Sequence, residues 1–152
     1  MAKIDYYALE ENLAEILRNN ITSIEPHAIV IEEPPDAIGL ESNPSVCIMI
    51  EGRAVPEELQ TIAAHTRTTY HVEVVMIVEA FDLQGFKRAC ELRDDVIGDI
   101  EHVLQDQDNW NSYSAIECIL LDGGKLETVK DEKGTYYAGG EIRFRIETTA
   151  TL

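Results

Sequence analysis

Long stretches of alternating apolar and polar residues, interrupted by one helical pattern, constrain the fold of this 152-residue chain more than any other feature. Residues 68–80 and residues 138–149 alternate with the two-residue period of a β-strand, whereas residues 86–104 carry apolar side chains at helical spacing. This order predicts an α+β fold in one domain, residues 1–152, in which two main helices pack on a mostly antiparallel sheet of four to six strands.

Two segments have the apolar spacing of amphipathic helices. In residues 4–18 an apolar stripe is formed by Leu9, Leu13, Ile16 and Leu17. The acidic residues of this segment are predicted to face water; they are Glu10, Glu11 and Glu15. Before the second helix, Asp82 is a candidate N-cap, because a carboxylate can accept a hydrogen bond from the first turn.

The remaining strands are predicted from apolar runs between turn signals. Residues 45–51 indicate a central strand covered on both faces, and residues 114–121 indicate a strand with Ile116, Cys118 and Leu120 on one face. The Asp122-Gly123-Gly124 turn then leads into residues 125–130, which we expect to pair with the preceding strand. Residues 131–134 form a second turn.

Two segments have less regular patterns. Residues 35–44 are predicted to be a loop because the adjacent prolines Pro34 and Pro35 prevent regular strand pairing. Residues 52–66 fit either a helical turn, with Pro56 at its first position, or a long mobile loop.

The second face of the long strand, residues 68–80, is polar at its ends and apolar at its centre, where Val75 and Ile77 lie. Either the chain itself or a neighbouring copy must cover this apolar centre. If the neighbouring strand is residues 138–149, Arg143 and Arg145 can pair across the strands with Glu73 and Glu79. Alternatively, these arginines reach acidic groups on a neighbouring subunit.

Four other residues are candidates for contacts with partners. Arg53 and Arg67 flank the segment of uncertain structure, and basic residues are scarce in this chain. Tyr136 and Tyr137 lie beside the last turn, where aromatic side chains can anchor an interface or simply pack on the strands.

The chain is strongly acidic, with 29 acidic residues, 12 basic residues and a formal net charge of −17. This argues against a surface that grips phosphates, because such surfaces are basic. It is compatible with a solvated acidic surface, a basic protein partner, or a channel wall that repels DNA. There is no apolar run long enough to span a membrane and no signal peptide pattern. The three widely spaced cysteines, which all stand in apolar runs, indicate buried free thiols in a reducing cytosol.

No catalytic set or cofactor motif is recognisable. The four histidines lack metal-ligand spacing, including His65 and His71, which we interpret as solvated. Asp94, Asp95 and Asp99 could bind Mg²⁺ on one helix face, but such acids are usually solvated. The sequence therefore predicts a protein that is not an enzyme and has no cofactor.

The order of these segments resembles the tail-terminator (tail-completion, minor tail protein U-like) family of long-tailed bacteriophages. The resemblance spans almost the whole chain and is one of order and length. It is carried by an N-terminal helix, the acidic Pro-rich segment E-E-P-P-D-A, the strands S-V-C-I-M-I-E and Y-H-V-E-V-V-M-I-V-E-A, a helix and hairpin, and the last strand G-G-E-I-R-F-R-I-E-T.

The resemblance implies a virion structural protein, assembled in the host cytoplasm and located in the tail. Members form a homo-oligomeric ring, commonly hexameric, that ends polymerisation of the tail tube protein and contacts the head connector protein. It implies no membrane and no sequence-specific nucleic acid, although DNA can pass through the ring. The family has no catalytic residues to carry over.

Three alternatives remain at this level. One is another head–tail joining or neck protein with the same kind of fold. A second is an acidic inhibitor that mimics DNA, although its acids would form rows rather than the scattered pattern seen here. A third is an enzyme that uses a metal bound by Asp94, Asp95 or Asp99, which calorimetry with Mg²⁺ and Mn²⁺ would detect.

Overall fold

The computed structural model describes residues 3–32, 43–55 and 67–151. Most of the predicted loop 35–44 and of the ambiguous segment 52–66 therefore lies outside the described residues. In chain order the helices and strands are α1 (Tyr6–Asn20), β1 (Ile29–Ile31), β2 (Ser45–Ala54), β3 (Arg67–Asp82), α2 (Phe86–Gln105), β4 (Cys118–Gly123), β5 (Leu126–Lys130) and β6 (Tyr136–Thr151).

The strands form one sheet in the order β1-β2-β3-β6-β4, and β5 also pairs with β6. Every pairing is antiparallel except that of β1 with β2, which is parallel. The predicted fold class is confirmed, because the described residues form two main helices and a mostly antiparallel sheet of six strands. The two long strands, whose pairing the sequence left open, do pair, since β3 and β6 are in register from Arg67↔Thr151 to Asp82↔Tyr136.

The predicted pairing of β5 with β4 is wrong. Both strands pair with β6, one after the other, with Gly123 opposite Arg143 and Leu126 opposite Gly140. They therefore act as one edge strand that is interrupted at Gly124. Glycine is needed at this position because a Cβ atom at Gly124 would lie 1.9 Å from the carbonyl oxygen of Glu141. The strand also begins later than predicted, at Cys118 rather than at residue 114.

Helix α1 confirms the predicted apolar stripe but not the predicted position of Glu10. Glu10 keeps only 3% of its surface exposed, whereas Glu11 and Glu15 are exposed as predicted. The physical reason is helical phase, since position 10 lies three and seven residues before the buried Leu13 and Leu17 and so shares their side of the helix.

Helix α2 begins at Phe86 and is preceded by Gly85, which makes no side-chain capping bond. The prediction that Asp82 caps this helix is therefore wrong. Asp82 stands too far before the first helical turn and accepts a hydrogen bond from the backbone nitrogen of Gln84 instead. The turn predicted at residues 131–134 is present, and the backbone nitrogen of Asp131 donates to the carbonyl of Thr135.

Both helices pack on the same face of the sheet and enclose a single core with its apolar residues. The large, fully buried side chains there include Leu13, Ile48, Met76, Ile100 and Phe144, each of which contributes about 1.5–3 kcal/mol when removed from water. Trp110 closes the core beyond the end of α2, where its Nε1 atom donates to the carbonyl of Leu104 at 2.9 Å.

The three cysteines are free, as predicted, although only Cys47 is fully buried. In the part of the chain that the structure describes, no helix is long and apolar enough to cross a membrane.

Candidate functional site

The sheet has a rear face, which we define as the face opposite the two helices. Side chains alternate along a strand, so the core positions Val74 and Met76 on β3 leave Val75 and Ile77 on the rear face. In the same way, the core positions Ile142 and Phe144 on β6 leave Glu141, Arg143 and Arg145 there. The rear face is the candidate contact surface that the sequence identified.

Arg143 and Arg145 form ion pairs on this face. The Nε atom of Arg143 lies 3.0 Å from Oε2 of Glu141, and one of its terminal nitrogens pairs with Glu51 on β2. The Nε atom of Arg145 lies 3.2 Å from Oδ2 of Asp122. The hydrogen bonds that Arg143 donates to Glu141 and then to Glu51 raise the pKa of Arg143, so this guanidinium keeps its charge.

These acids differ from the predicted partners, Glu73 and Glu79. Glu73 stands opposite Arg145 in the register, but the guanidinium of Arg145 pairs with Asp122 at the sheet edge. Glu79 stands opposite Gly139 instead of an arginine. Glu51 lies beside Arg143 where the register of β2 shifts, between Ile50 and Gly52. This register shift cannot be recognised from the spacing of residues in the sequence.

Near the start of β3 and the end of β6, two side-chain hydrogen bonds link the strands on the rear face. His71 Nε2 and Glu147 Oε1 lie 3.1 Å apart on residues directly opposite each other, and the hydroxyls of Thr69 and Thr149 lie 3.1 Å apart. Among residues 3–32, 43–55 and 67–151, no three His, Cys, Asp or Glu side chains form a group that could hold a metal ion. His65, the other predicted strand-end histidine, lies outside the described residues.

The apolar centre of the rear face is covered unevenly. Val75 keeps 1% of its surface exposed within the single chain, and Cys47 on the neighbouring strand is also buried. Ile77 and Met49 remain partly exposed. A second copy could therefore reach Ile77 and Met49 more readily than Val75, whose role in an interface stays a prediction.

The other predicted contact residues lie apart from the rear face centre. The guanidinium carbon of Arg53 lies 5.4 Å from the ring centre of Tyr70 and 5.9 Å from that of Tyr6, near the start of α1. Arg67 stands opposite Thr151, at one end of the β3–β6 pair. The structure therefore does not gather the predicted residues into one site.

Tyr136 and Tyr137 pack within the chain. Tyr136 makes an edge-to-face contact with Phe86 at 4.9 Å between ring centres, and the ring of Tyr137 lies 6.2 Å from that of Phe81. The strand-packing interpretation of these tyrosines is thus supported, and their contact with a partner stays a prediction.

The acidic residues considered for Mg²⁺ lie on α2. Asp94 and Asp95 are exposed, and Asp94 accepts a hydrogen bond at 2.9 Å from Nε of the buried Arg93. Asp99 is half-buried on the same helix. This arrangement is typical of a solvated helix face that holds one arginine in place.

The surface at the sheet edge formed by β5 was not predicted from the sequence. Leu126 is 60% exposed and Val129 is 53% exposed, which is unusual for large apolar residues in a strand. The nearby lysines Lys125, Lys130 and Lys133 are a sequence signal that could have found it, because they cluster within nine residues of an acidic chain that has few bases.

No family model and no curated protein sequence matches the chain. Among solved structures, a chain in the virion of a native gene transfer agent particle is similar over 91% of this chain and 94% of its own, with a TM-score of 0.55 and 15% identity. The two chains share a fold.

A second solved structure is similar at a lower level. It is the sheath/tube terminator, in the extended state, of an extracellular contractile injection system called PVC. The similarity covers 97% of this chain and 58% of that one, with a TM-score of 0.39 and 9% identity. That overlay is too loose to support an argument about this protein.

Proposed function

We propose that this chain is a structural protein of a phage-like virion, where it forms a ring at the head-proximal end of the tail tube. The ring ends polymerisation of the tube and joins the tail to the head connector. The observation that carries this proposal is the fold shared over almost the full length of both chains with a component of a gene transfer agent virion. The segment order described above supports the same role.

The surface chemistry of the rear face is consistent with a protein that assembles. Within the described residues, Arg143 is ion-paired with Glu141 and Glu51, and Arg145 is ion-paired with Asp122. A net charge of −17 suits a ring through which DNA slides, because like charges keep the DNA from adhering to the wall.

The acidic inhibitor that mimics DNA is disfavoured by the same pairing. Such a mimic needs free carboxylates in rows, whereas Glu141, Glu51 and Asp122 are each ion-paired with one of two arginines. The ion pairs do not argue against a neck protein at another level of the head–tail junction. The experiment below distinguishes such a neck protein from a ring at the end of the tail tube.

The proposal is tested by measuring the mass of the purified chain with light scattering at low and moderate salt, alone and with the tail tube protein from the same particle. We expect closed rings in solution, or a monomer that becomes a ring on the end of a tube. Electron microscopy then shows whether the rings sit on tube ends or on connectors. A monomer at every concentration, with no affinity for the tube protein, would contradict the proposal.

A further inference from the structure

The two ends of the sheet have complementary surfaces. In the described residues, β1 pairs with β2 alone and lies at one end of the strand order, while β4 and β5 lie at the other end. A contact between opposite ends of identical subunits is heterologous, and repeated contacts of this type close into a ring when the rotation allows it.

The first surface is the hairpin tip, which we define as Val129, Lys130 and Lys133. Val129 is 53% exposed, and both lysines are exposed. Lys130 also lies with its Nζ atom 5.0 Å from the ring centre of Tyr136. The acidic Asp131 between them is occupied, since its Oδ1 atom accepts hydrogen bonds from the backbone nitrogens of Lys133 and Thr135.

Glu132 is the remaining acid of this turn and is exposed. With two lysines against Asp131 and Glu132, the tip is formally neutral in a chain of net charge −17. Two copies of such a chain repel each other over most of their surfaces. A neutral tip with an exposed apolar side chain is therefore a place where copies can approach at low electrostatic cost.

The second surface is the α1–β1 groove, a cavity of about 550 Å³ between helix α1 and strand β1. Tyr7, which is 59% exposed, and Ile31 provide apolar walls. Glu11 and Glu15 provide exposed carboxylates one helical turn apart. Glu15 also interacts with Tyr113, whose pKa is raised by burial first and then by the hydrogen bond and charge of Glu15.

The basic residues of the groove, Arg18 and His27, do not remove its acidic character. Arg18 donates through Nε to the carbonyl of Pro26 and through a terminal nitrogen to the carbonyl of Ile29. Its guanidinium is thus held by backbone carbonyls at β1, while Glu11 and Glu15 line the same groove from α1.

At each end of the sheet an arginine donates a hydrogen bond to a strand carbonyl. Arg18 donates to the carbonyl of Ile29 in β1, and Arg93 donates to the carbonyl of Glu127 in β5 at 3.3 Å. Such side chains hinder the addition of a further strand to an edge. A contact between the two ends must then use side chains more than a continuous backbone ladder.

We propose that the hairpin tip of one copy seats in the α1–β1 groove of the next copy. Val129 packs on Tyr7 and Ile31, and Lys130 and Lys133 pair with Glu11 and Glu15. The inference rests on the proposed function, because it takes the partner to be a second copy of this chain. It adds to that function the two surfaces that meet.

Charge exchange tests the pairing. The double variant Lys130→Glu with Lys133→Glu should weaken self-association about tenfold or more in sedimentation and light scattering, because like charges then oppose each other. The double variant Glu11→Lys with Glu15→Lys should weaken it similarly. The chain that carries all four changes should recover most of the wild-type association, since the charges are complementary again.

Matched controls separate the contact from general effects on folding or charge. Val129→Asp should also disrupt association, whereas Leu83→Asp should not, although Leu83 is 71% exposed and apolar. Lys87→Glu on α2 is the charge control and should weaken association far less than the charge variants of the hairpin tip. Thermal unfolding of each variant confirms that the chain is folded.

Failure of this inference is distinguishable from failure of the proposed function. If the wild-type chain forms rings and the charge variants form them equally well, the inference is wrong and the proposed function stands. If the wild-type chain neither self-associates nor forms a ring on tubes, both are wrong. Carbodiimide cross-linking of the assembled chain should join Lys130 or Lys133 to Glu11 or Glu15, and cross-links elsewhere alone would overturn the pairing.

Discussion

Glu10 is the residue whose chemistry is changed most by the fold. Its carboxyl lies on the buried side of α1, and its Oε2 atom has no hydrogen-bond partner within the described residues. Burial first, and then the hydrogen bond and charge of Glu32, raise the pKa of Glu10 to about 8, against a backbone hydrogen bond with Ile50 that lowers it. The folded chain therefore holds a proton that the unfolded chain releases.

Because of this raised pKa, Glu10 should lower the stability of the folded chain at high pH, and Glu10→Gln should remove that loss. The folded pKa of about 8 exceeds the ordinary value of 4.5, so the folded state binds more protons between these values and the contribution of Glu10 to stability falls as pH rises through that window. At pH 8 we expect Glu10→Gln to raise the free energy of unfolding by on the order of a few kcal/mol, with little effect near pH 4. Urea unfolding across this range measures it.

Glu11→Gln is the control, because Glu11 is the exposed neighbour on the same helix. It should change the pH dependence of unfolding by much less. If the wild-type and Glu10→Gln curves run parallel between pH 4 and pH 8, the carboxyl of Glu10 is not protonated in the fold.

Val75 provides a second prediction at the residue scale. Because its side chain is 1% exposed in the single chain, Val75→Glu would bury a charge, and we expect a loss of several kcal/mol and a large drop in the melting temperature. Ile77→Glu should cost less, since Ile77 is only half-buried. Equal, small effects of both substitutions on melting, with loss of assembly, would instead mean that the rear face is completed by a second copy.

At the scale of the elements, the edge formed by β4 and β5 depends on one glycine. The chain passes so close to β6 at Gly124 that no side chain fits against the carbonyl of Glu141. Beyond this point the carbonyl of Lys125 accepts a hydrogen bond from the nitrogen of Glu141 at 2.8 Å, and β5 then continues along β6. Gly124 thus allows two short strands to follow one long partner.

Gly124→Ala should destabilise the chain, because the added methyl group would overlap backbone atoms that cannot move alone. We expect a loss of about 1–3 kcal/mol or more, measured by urea unfolding. Gly98→Ala is the matched control. Gly98 is exposed in α2 with open space around its Cα, so alanine should stabilise the helix by about 1 kcal/mol. A neutral Gly124→Ala would show that the edge strand tolerates a shift.

At the scale of the whole molecule, the charge of −17 acts on association more than on the fold. Copies of a strongly acidic chain repel one another at long range, and the few lysines at the hairpin tip attract only at short range. Salt screens the long-range repulsion first, because the screening length falls from about 30 Å at 0.01 M to about 10 Å at 0.1 M.

We therefore predict that self-association strengthens when salt is raised from about 0.01 M to about 0.1 M. Light scattering over a concentration series at each salt level measures the change. The charge control Lys87→Glu should follow the same trend with a slightly larger salt effect. Rings that dissociate steadily as salt increases would mean that attractive ion pairs outweigh the repulsion.

Local patterns in the sequence determined the elements of this protein. The three- and four-residue spacing in α1 and α2 and the alternation in β3 and β6 predicted helices and strands close to their observed limits. The turn at residues 131–134 was also predictable, because it depends on neighbouring residues, including Gly134 with its positive φ of 86°. Since antiparallel strands need one face covered, the α+β class followed from the same patterns.

Only the tertiary structure decided which residues meet. Asp122 and Glu51 become partners of the arginines because strands far apart in the sequence lie side by side. The pairing of β5 with β6 and the α1–β1 groove likewise depend on how separate elements pack. The pKa of Glu10 depends in the same way on Glu32 and on burial under the sheet. Spacing along the chain sets the direction of a side chain, whereas its neighbours are set by register and packing, which are properties of the whole fold.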